Sequence, residues 1–420
     1  MGARRSRDRV SSSDRIQNLR WFNQGHKWLV DYSLFVPSRD IRERWSPVDH
    51  DSLEALRDEF FTGGSRDLPL GIEPTVEPDS FAVWRQQSPE ARGLTAFGLM
   101  APAAVGNLSE DAPPMFGIAT DSDGRTRAVA AVFDGMGGAG SGVITPSEFP
   151  MIKPGRRVSK AYLASRIARR ELEHLWWRDS SRFADGDLMC EVFAQTLTNI
   201  HSSLGSAAKS RLGGSMVRNL PTTFASVQCE QSDRGKWSVV ANWAGDSRAF
   251  VLTPRAGLQQ ITSDDLEESD PLEQLRGDSR LLNALDASKQ FKVNSNRVLV
   301  SAPALLIVAT DGLFHYLPTP GSLEYLLLKT LRDSEARTAA DLTEIARAAA
   351  NDDISLVVIA LGFSRFSEIR LAFRNRESDL AAAGYSQLLS MAPGDAATLM
   401  RANQIWEHER PRYVELMEKS

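Results

Sequence analysis

Cysteine is scarce in this sequence, with only Cys190 and Cys229 among 420 residues. The two are not spaced as a disulfide framework or as thiolate ligands of zinc, so a disulfide-stabilised secreted domain and a thiolate zinc site are not indicated. This usage of cysteine is typical of a reducing compartment. We therefore expect the protein to be cytoplasmic.

Long apolar runs and an excess of positive charge are also missing. The sequence has no stretch of about 18 consecutive apolar residues and no apolar segment of signal-peptide type, so neither a membrane span nor secretion is expected. Its formal net charge is -5 and its pI is near 5.8. Proteins that neutralise many phosphates need clustered cations, so nucleic acid is not an expected partner.

What remains is the composition of an ordinary globular protein, with 42% hydrophobic and 25% charged residues. We predict four regions. Residues 1–20 form a disordered basic tail, which we favour over an N-terminal lipid anchor, and residues 21–92 form an N-terminal extension and linker. The main domain spans residues 93–363, and residues 364–420 form a helical extension that packs on it.

Within 93–363, hydrophobic periodicity predicts a mixed α and β domain. Two amphipathic helices are predicted at 159–178 and 187–204, where they should cover a sheet. The runs rich in Val, Ile and aromatic residues predict strands at 222–229, 237–243, 248–252, 298–300, 305–310 and 354–361. In the C-terminal extension we predict helices at 366–383, 385–391 and 396–406.

Three short acidic motifs beside apolar runs are the most informative feature of the chain. Asp134-Gly135 follows the run 128–133, Asp311-Gly312 follows 305–310, and Asp352-Asp353 precedes 354–361. One Asp-Gly pair after a strand is usually only a turn. Three such motifs in one domain instead indicate a shared site.

The order of strands and acids predicts how these motifs meet. The runs 115–120 and 127–133 flank the turn sequence 121–124, and a hairpin there would bring Glu110 and Asp111 level with Asp134. Asp311 ends a strand and Asp352 begins one, so antiparallel pairing would place both at one sheet edge. The four acids Glu110, Asp134, Asp311 and Asp352 are thus predicted to converge.

Carboxylates gathered in this way repel one another unless cations lie between them. The predicted donors are all oxygen atoms, which favours Mn²⁺ or Mg²⁺ over Zn²⁺. A pair of such cations lowers the pKa of a water and neutralises phosphate oxygens. The sequence therefore predicts a metal-dependent hydrolase of phosphoesters.

With these acidic motifs, the chain resembles the metal-dependent protein phosphatases of type 2C, as found in bacteria. The resemblance covers about residues 93–363. The motifs that carry it occur in the family's order and are Glu110-Asp111, Asp134-Gly135-Met136-Gly137-Gly138, Thr222-Thr223, Asn242-Trp243-Ala244-Gly245-Asp246-Ser247-Arg248, Ile261-Thr262-Ser263-Asp264, Asp311-Gly312 and Asp352-Asp353-Ile354-Ser355.

The resemblance implies an α+β fold, a four-layer sandwich of two antiparallel sheets flanked by helices, with a dinuclear Mn²⁺ or Mg²⁺ centre at one end. Asp134 would bridge the metals, the Gly135 carbonyl would bind one of them, and Asp311 and Asp352 would bind the other. Glu110 would act near the metals, partly through water. The implied activity is hydrolysis of phosphoserine and phosphothreonine in phosphoproteins modified by a serine/threonine kinase.

The chain also departs from the family pattern. Gly106 stands where many members have an arginine that binds the substrate phosphate, and Met136 stands where animal members have histidine. The acid that recruits a third metal in many relatives is absent from 217–221. Asp353 replaces the usual asparagine and Asp265 the usual histidine, and an insertion at 141–158 follows the first metal motif.

Two hypotheses follow. The first is a protein serine/threonine phosphatase, and the alternative is a catalytically weak phosphatase-like module that binds or regulates a partner. The missing arginine and third-metal acid favour the alternative, whereas the retained acids favour the enzyme. We interpret Asp246 as a structural turn residue rather than a ligand, leave His315 outside the site, and expect the segment 266–291 to shape substrate choice.

Overall fold

The computed structural model describes residues 21–24, 27–30, 82–87, 93–103, 109–120, 125–136, 142–145, 158–178, 182–204, 218–233, 235–267, 280–317, 319–348, 352–391 and 395–417. The predicted tail 1–20, the turn 121–124 and most of the insertion 141–158 lie outside these residues.

Fifteen strands are found in the described residues. In chain order they are β1 (Trp21–Gln24), β2 (Lys27–Val30), β3 (Ala82–Gln87), β4 (Leu94–Ala101), β5 (Met115–Thr120), β6 (Thr126–Gly135), β7 (Val143–Ile144), β8 (Val158–Ser159), β9 (Thr222–Asp233), β10 (Lys236–Ala244), β11 (Arg248–Thr253), β12 (Gly257–Gln260), β13 (Asn294–Ser301), β14 (Ala304–Ala309) and β15 (Ile354–Leu361).

Seven α-helices are found in the same residues. They are α1 (Lys160–Arg178), α2 (Gly186–Ser203), α3 (Pro320–Thr330), α4 (Glu335–Arg347), α5 (Phe366–Ala383), α6 (Tyr385–Leu388) and α7 (Ala396–Met417). A short 3₁₀ turn, Asp311–Leu313, follows β14.

The strands form two large antiparallel sheets. The first has the order β1-β2-β5-β6-β9-β10-β13 and the second the order β12-β11-β14-β15-β4-β3, while β7 and β8 pair separately. Strands β1, β2 and β3 come from the predicted N-terminal extension, and they extend both sheets.

Alternating side chains along the strands build three cores, as expected for a period of two residues. In β6, Ala128, Ala130 and Val132 face the second sheet, whereas Val129 and Phe133 face helix α1. The same alternation in β15 divides its residues between the core shared by the sheets and the core under α3 and α5. The layers are thus helix, sheet, sheet and helix, which confirms the predicted fold class.

Strand pairing agrees with the sequence prediction at the points that position the site. Strands β5 and β6 form the predicted hairpin, with Thr120 opposite Thr126. Strands β14 and β15 pair in antiparallel fashion, with Ala309 opposite Leu356. The ends that carry the acidic motifs therefore lie at a common end of the sandwich.

Helices α3 and α4 are absent from the sequence prediction, which contains two helices before residue 363. Both begin with a side-chain cap, since Thr319 accepts a hydrogen bond from the N–H of Ser322 and Ser334 accepts one from Arg337. These threonine and serine caps are a signal that the sequence carried. Helix α7 also continues beyond the predicted end at residue 406.

The C-terminal helices α5 to α7 share a core with α3. Phe366, Ile369 and Phe373 of α5 belong to the same buried cluster as Leu323 and Leu326 of α3. The edge of the Phe366 ring also contacts Phe97 of β4, with a centroid separation of 5.4 Å. No helix in the described parts of the chain combines the length and the apolar character that a bilayer crossing needs.

Candidate metal centre

The first part of the site lies where β6 ends at Asp134 and Gly135. The carbonyl of Asp134 accepts a hydrogen bond from Thr222 Oγ1 on β9 at 2.6 Å. A side chain on Gly135 would overlap the carbonyl oxygen of Glu110 and contact that of Ala161. Glycine is therefore required there, because it lets the Glu110 segment and the start of α1 approach the end of β6.

The second part lies at the facing ends of β14 and β15. Asp311 follows β14 and Asp352 precedes β15, and a side chain on Gly312 would overlap the carbonyl oxygen of Asp353. The two acidic turns are therefore packed directly on each other. Asp352 is at the exposed rim, where His315 attracts its carboxylate electrostatically.

Asp111 forms the link between the two parts. It is 1% exposed, and its Oδ2 accepts a hydrogen bond from Thr310 Oγ1 at 3.0 Å. The same hydroxyl accepts a hydrogen bond from the N–H of Ser355 at 2.9 Å. Asp111 is thus anchored to the ends of both β14 and β15.

The carboxyl groups at this end of the sandwich raise one another's pKa values. Burial raises the pKa of Asp134 well above its ordinary value, and the charges of Asp311, Asp111 and Asp352 raise it further. Burial, with the charges of Asp353 and Asp352, likewise raises the pKa of Asp111. The described structure therefore holds a crowded group of acids whose ionised forms repel one another.

Burial and neighbouring charges also raise the pKa values of the remaining predicted acids. Burial and Asp352 raise the pKa of Asp311 to about 6, although a hydrogen bond with Asp134 opposes the shift. Loss of hydration raises the pKa of Asp352 even at the rim. Burial also raises the pKa of Glu110, which interacts with Asp352 and Asp353 and lies beside the hydroxyl of Ser159.

Asp246 belongs to this group as well as to the turn between β10 and β11. Burial and the charge of Asp311 raise its pKa to about 8. Its Oδ1 is buried, and no hydrogen-bond donor in the described residues reaches that atom. Asp246 also lies in the predicted turn, where the preceding Gly245 has a φ of 110°. Asp246 therefore contributes negative charge to the site in addition to its place in the turn.

These residues fit a divalent cation by their chemistry. The donors are carboxylate and carbonyl oxygens, which Mg²⁺ and Mn²⁺ prefer, and Asp246 Oδ1 lacks a donor. In the described parts of the chain, however, no group of three or more Asp, Glu, His or Cys side chains is spaced so that it could hold a metal ion. Mg²⁺ usually keeps several waters and uses one or two carboxylates. The chemistry of these donors thus fits a hydrated cation of this kind.

The raised pKa of Asp246 predicts how pH changes the stability of the metal-free protein. Below the ordinary value of 3.8 the carboxyl is protonated in the folded and unfolded states, so it has no effect. As pH rises towards about 8, ionisation is easier in the unfolded chain, so the free energy of unfolding decreases. We expect Asp246→Asn to raise the melting temperature by about 2–5 °C at pH 8.5 and by less at pH 5.5.

The measurement is thermal unfolding in EDTA at both pH values. Asp333→Asn is the matched control, since Asp333 is an exposed acid that pairs with Arg337 on the surface. An equal shift of Asp246→Asn at both pH values would contradict the prediction.

The structure places all five predicted site residues, Glu110, Asp134, Gly135, Asp311 and Asp352, at one end of the sandwich. Their catalytic and metal-binding roles stay predictions. Two further groups lie at this end and were not among the predicted site residues, Asp111, which the hairpin was predicted to bring level with Asp134, and Asp246. Asp111 was visible beside Glu110 in the same motif, whereas the orientation of Asp246 depends on the packing of β11 against β14.

Comparison with known proteins adds the following findings. No protein-family model and no curated protein matches the sequence. Solved structures that resemble the chain include a bacterial serine phosphatase, with 18% identity over 64% of this chain and 98% of the other and a TM-score of 0.44. The serine/threonine phosphatase PstP/Ppp of Mycobacterium tuberculosis has 20% identity over 64% and 98%, with a TM-score of 0.41.

A third structure is the serine/threonine phosphatase Stp1 of Staphylococcus aureus. It has 16% identity over 68% of this chain and 97% of the other, with a TM-score of 0.42.

Proposed function

We propose that the protein is a metal-dependent protein serine/threonine phosphatase that hydrolyses phosphoserine and phosphothreonine. The observation that carries the proposal is the crowding of Asp111, Asp134, Asp246 and Asp311, whose pKa values are all raised. Buried acids that repel one another are typical of a functional site rather than of a structural core. The ordered motifs of the type 2C phosphatases support the same reaction.

In this proposal, Asp134, the Gly135 carbonyl, Asp311 and Asp352 would hold two Mn²⁺ or Mg²⁺ ions, with Asp134 placed between the two acidic parts of the site. Glu110 acts near the ions, partly through water. When bound, the ions would lower the pKa of a water molecule and neutralise phosphate oxygens. Thr222 and Thr310 keep two of these segments in place, because they bond to the Asp134 carbonyl and to the Asp111 carboxylate respectively.

The reaction is hydrolysis of a phosphate monoester. A bond forms between a water oxygen and phosphorus, the bond from phosphorus to the serine or threonine oxygen breaks, and that oxygen takes up a proton. Met136 has no proton to donate at the position next to Gly135, so we assign the leaving-group proton to solvent water. The products are inorganic phosphate and the free hydroxyl side chain.

We further propose that the substrates are phosphoproteins modified by a serine/threonine kinase, and that the protein acts in the cytoplasm. The resemblance to type 2C phosphatases supports the first statement, and the scarcity of cysteine supports the second.

The decisive experiment measures phosphate release from a phosphothreonine peptide by the full chain, with MnCl₂, with MgCl₂ and with EDTA. We expect turnover with either cation and none with EDTA. Calorimetric titration of the chelated protein with Mn²⁺ is the parallel measurement. A folded protein that neither binds Mn²⁺ nor releases phosphate would overturn the proposal and favour the phosphatase-like binding module.

A further inference from the structure

The backbone of Ser109, Glu110 and Asp111 is held from two sides by buried charged side chains. This segment carries two of the site acids. Its orientation depends on non-covalent contacts as well as on the chain on either side of it. Its N–H and C=O groups therefore need partners that fix their orientation. The structure supplies those partners from Arg166 on α1 and from Asp353 before β15.

Arg166 binds the carbonyl side of the segment. Its Nη2 donates to the carbonyl of Ser109 at 3.1 Å and its Nη1 donates to the carbonyl of Glu110 at 3.3 Å. The Ser165 hydroxyl donates to the same Glu110 carbonyl at 2.6 Å. The guanidinium group is fixed in turn by the Tyr162 ring, with its Cζ 3.4 Å from the ring centroid.

Asp353 binds the amide side. Its Oδ2 accepts a hydrogen bond from the N–H of Glu110 at 2.6 Å, and its Oδ1 accepts one from the N–H of Ala103 at 2.7 Å. Both carboxylate oxygens are therefore used, one on each side of the segment 104–108. An asparagine at this position would replace one of these oxygens with an NH₂ group, which is a donor and cannot accept from the N–H group that the oxygen binds.

Charge adds to this geometry. Arg166 is 7% exposed and is attracted by the charges of Asp111 and Asp353. A buried guanidinium stabilises its surroundings most when its planar N–H donors bind two acceptors at once. An ammonium group lacks this planar arrangement of donors. Removal of either charge would leave the other buried beside the acidic site.

From these contacts, and on the basis of the proposed phosphatase function, we infer that Arg166 and Asp353 are positioning residues of the metal centre. They hold the Glu110-Asp111 backbone and so fix the position of Glu110, which would act near the cations, and of Asp111, whose charge acts on Asp134. Arg166 acts through this backbone and does not bind the substrate phosphate.

The test compares Arg166→Met and Arg166→Lys with the wild-type protein. We expect Arg166→Met to raise the dissociation constant for Mn²⁺ by about 10–100-fold and to lower kcat by a similar factor, as for other groups that orient metal ligands. KM for the phosphopeptide should change by less than about threefold, since substrate contacts are retained. Arg166→Lys should also weaken Mn²⁺ binding, because one ammonium group cannot hold both carbonyls in the same plane.

Asp353→Asn supplies a second variant of nearly unchanged volume, should Arg166→Met fail to fold. We expect it to weaken Mn²⁺ binding in the same direction and by a smaller factor. Because both side chains act on one segment, Arg166→Lys should have less effect in the Asp353→Asn background than in the wild type.

Arg376→Met is the matched control, since Arg376 is another buried arginine but joins α5 to α3. It should lower stability and leave the Mn²⁺ dissociation constant unchanged. Wild-type Mn²⁺ affinity in Arg166→Lys or in Asp353→Asn would overturn the inference. If the wild-type protein itself neither binds Mn²⁺ nor releases phosphate, the proposed function fails instead, so the two failures are distinguishable.

Discussion

Asp134→Asn should reduce Mn²⁺-dependent phosphate release by about 10²–10³-fold or more. A bound cation supplies several kcal/mol of transition-state stabilisation, and each 1.4 kcal/mol changes the rate about tenfold. Asparagine keeps the shape of the side chain and the Asp134 carbonyl that Thr222 binds, but it removes one negative charge from the site. The loss should therefore appear as weaker Mn²⁺ binding together with a lower kcat.

The same substitution should have the opposite effect on the stability of the metal-free protein. Asp134 is repelled by Asp311, Asp111, Asp352 and Asp246, so its neutral replacement relieves several like-charge interactions at once. We expect a higher melting temperature for Asp134→Asn in EDTA at pH 8, with a smaller gain from Mn²⁺ than the wild type shows. A substitution that merely damages the fold would lower both activity and stability.

Asp333→Asn is the control for this pair of measurements. Its carboxylate is exposed and pairs with Arg337 on the surface, so neither phosphate release nor stability should change appreciably. Mn²⁺-dependent turnover of Asp134→Asn within tenfold of the wild type would contradict the assignment of Asp134 to the metal centre.

Arg376→Met should destabilise the protein by about 3–5 kcal/mol, because it leaves the Glu324 carboxylate buried beside an apolar side chain. Arg376 Nη2 donates to Glu324 Oε2 at 2.8 Å, its Nε also binds that carboxylate, and both side chains are at most 2% exposed. Gly257 packs against the pair with a φ of 73°. The ion pair thus joins α5, α3 and the start of β12.

Replacement of both Arg376 and Glu324 tests whether the unpaired carboxylate causes the loss of stability. The double variant Arg376→Met with Glu324→Leu should recover most of the lost free energy of unfolding, since apolar residues of similar volume often replace a buried ion pair without penalty. Urea unfolding measures the free energy of unfolding of the wild type, both single variants and the double variant. Equal stabilities of Arg376→Met and the wild type would show that this ion pair contributes little to the stability of the protein.

Local patterns in the sequence were sufficient to predict the elements that carry the acids. The hairpin of β5 and β6 follows from a tight-turn sequence between two apolar runs, and the pairing of β14 with β15 follows from one acid that ends a strand and another that begins one. These features depend on neighbours in sequence or on a simple strand direction. Helices α3 and α4 were missed although their Thr319 and Ser334 caps were visible.

Such local patterns do not predict contacts between segments that are distant in the sequence. In the sequence, Asp353 is visible only as a departure from the family motif, and no local pattern points to Arg166. These two residues, which are far apart along the chain, meet on the backbone of Glu110. Asp246 was interpreted as a turn residue because Gly-Asp-Ser suits a tight hairpin. Its proximity to Asp311 arises only when β11 pairs with β14.

The sequence by itself determined the α+β class, the hairpin and the order of the acidic motifs, because hydrophobic period and turn chemistry act over a few residues. Only the tertiary structure decided which acids share a desolvated space and which buried charges hold them there. Burial and charge repulsion depend on the three-dimensional distances among side chains, and these distances are set by the packing of the two sheets and their helices.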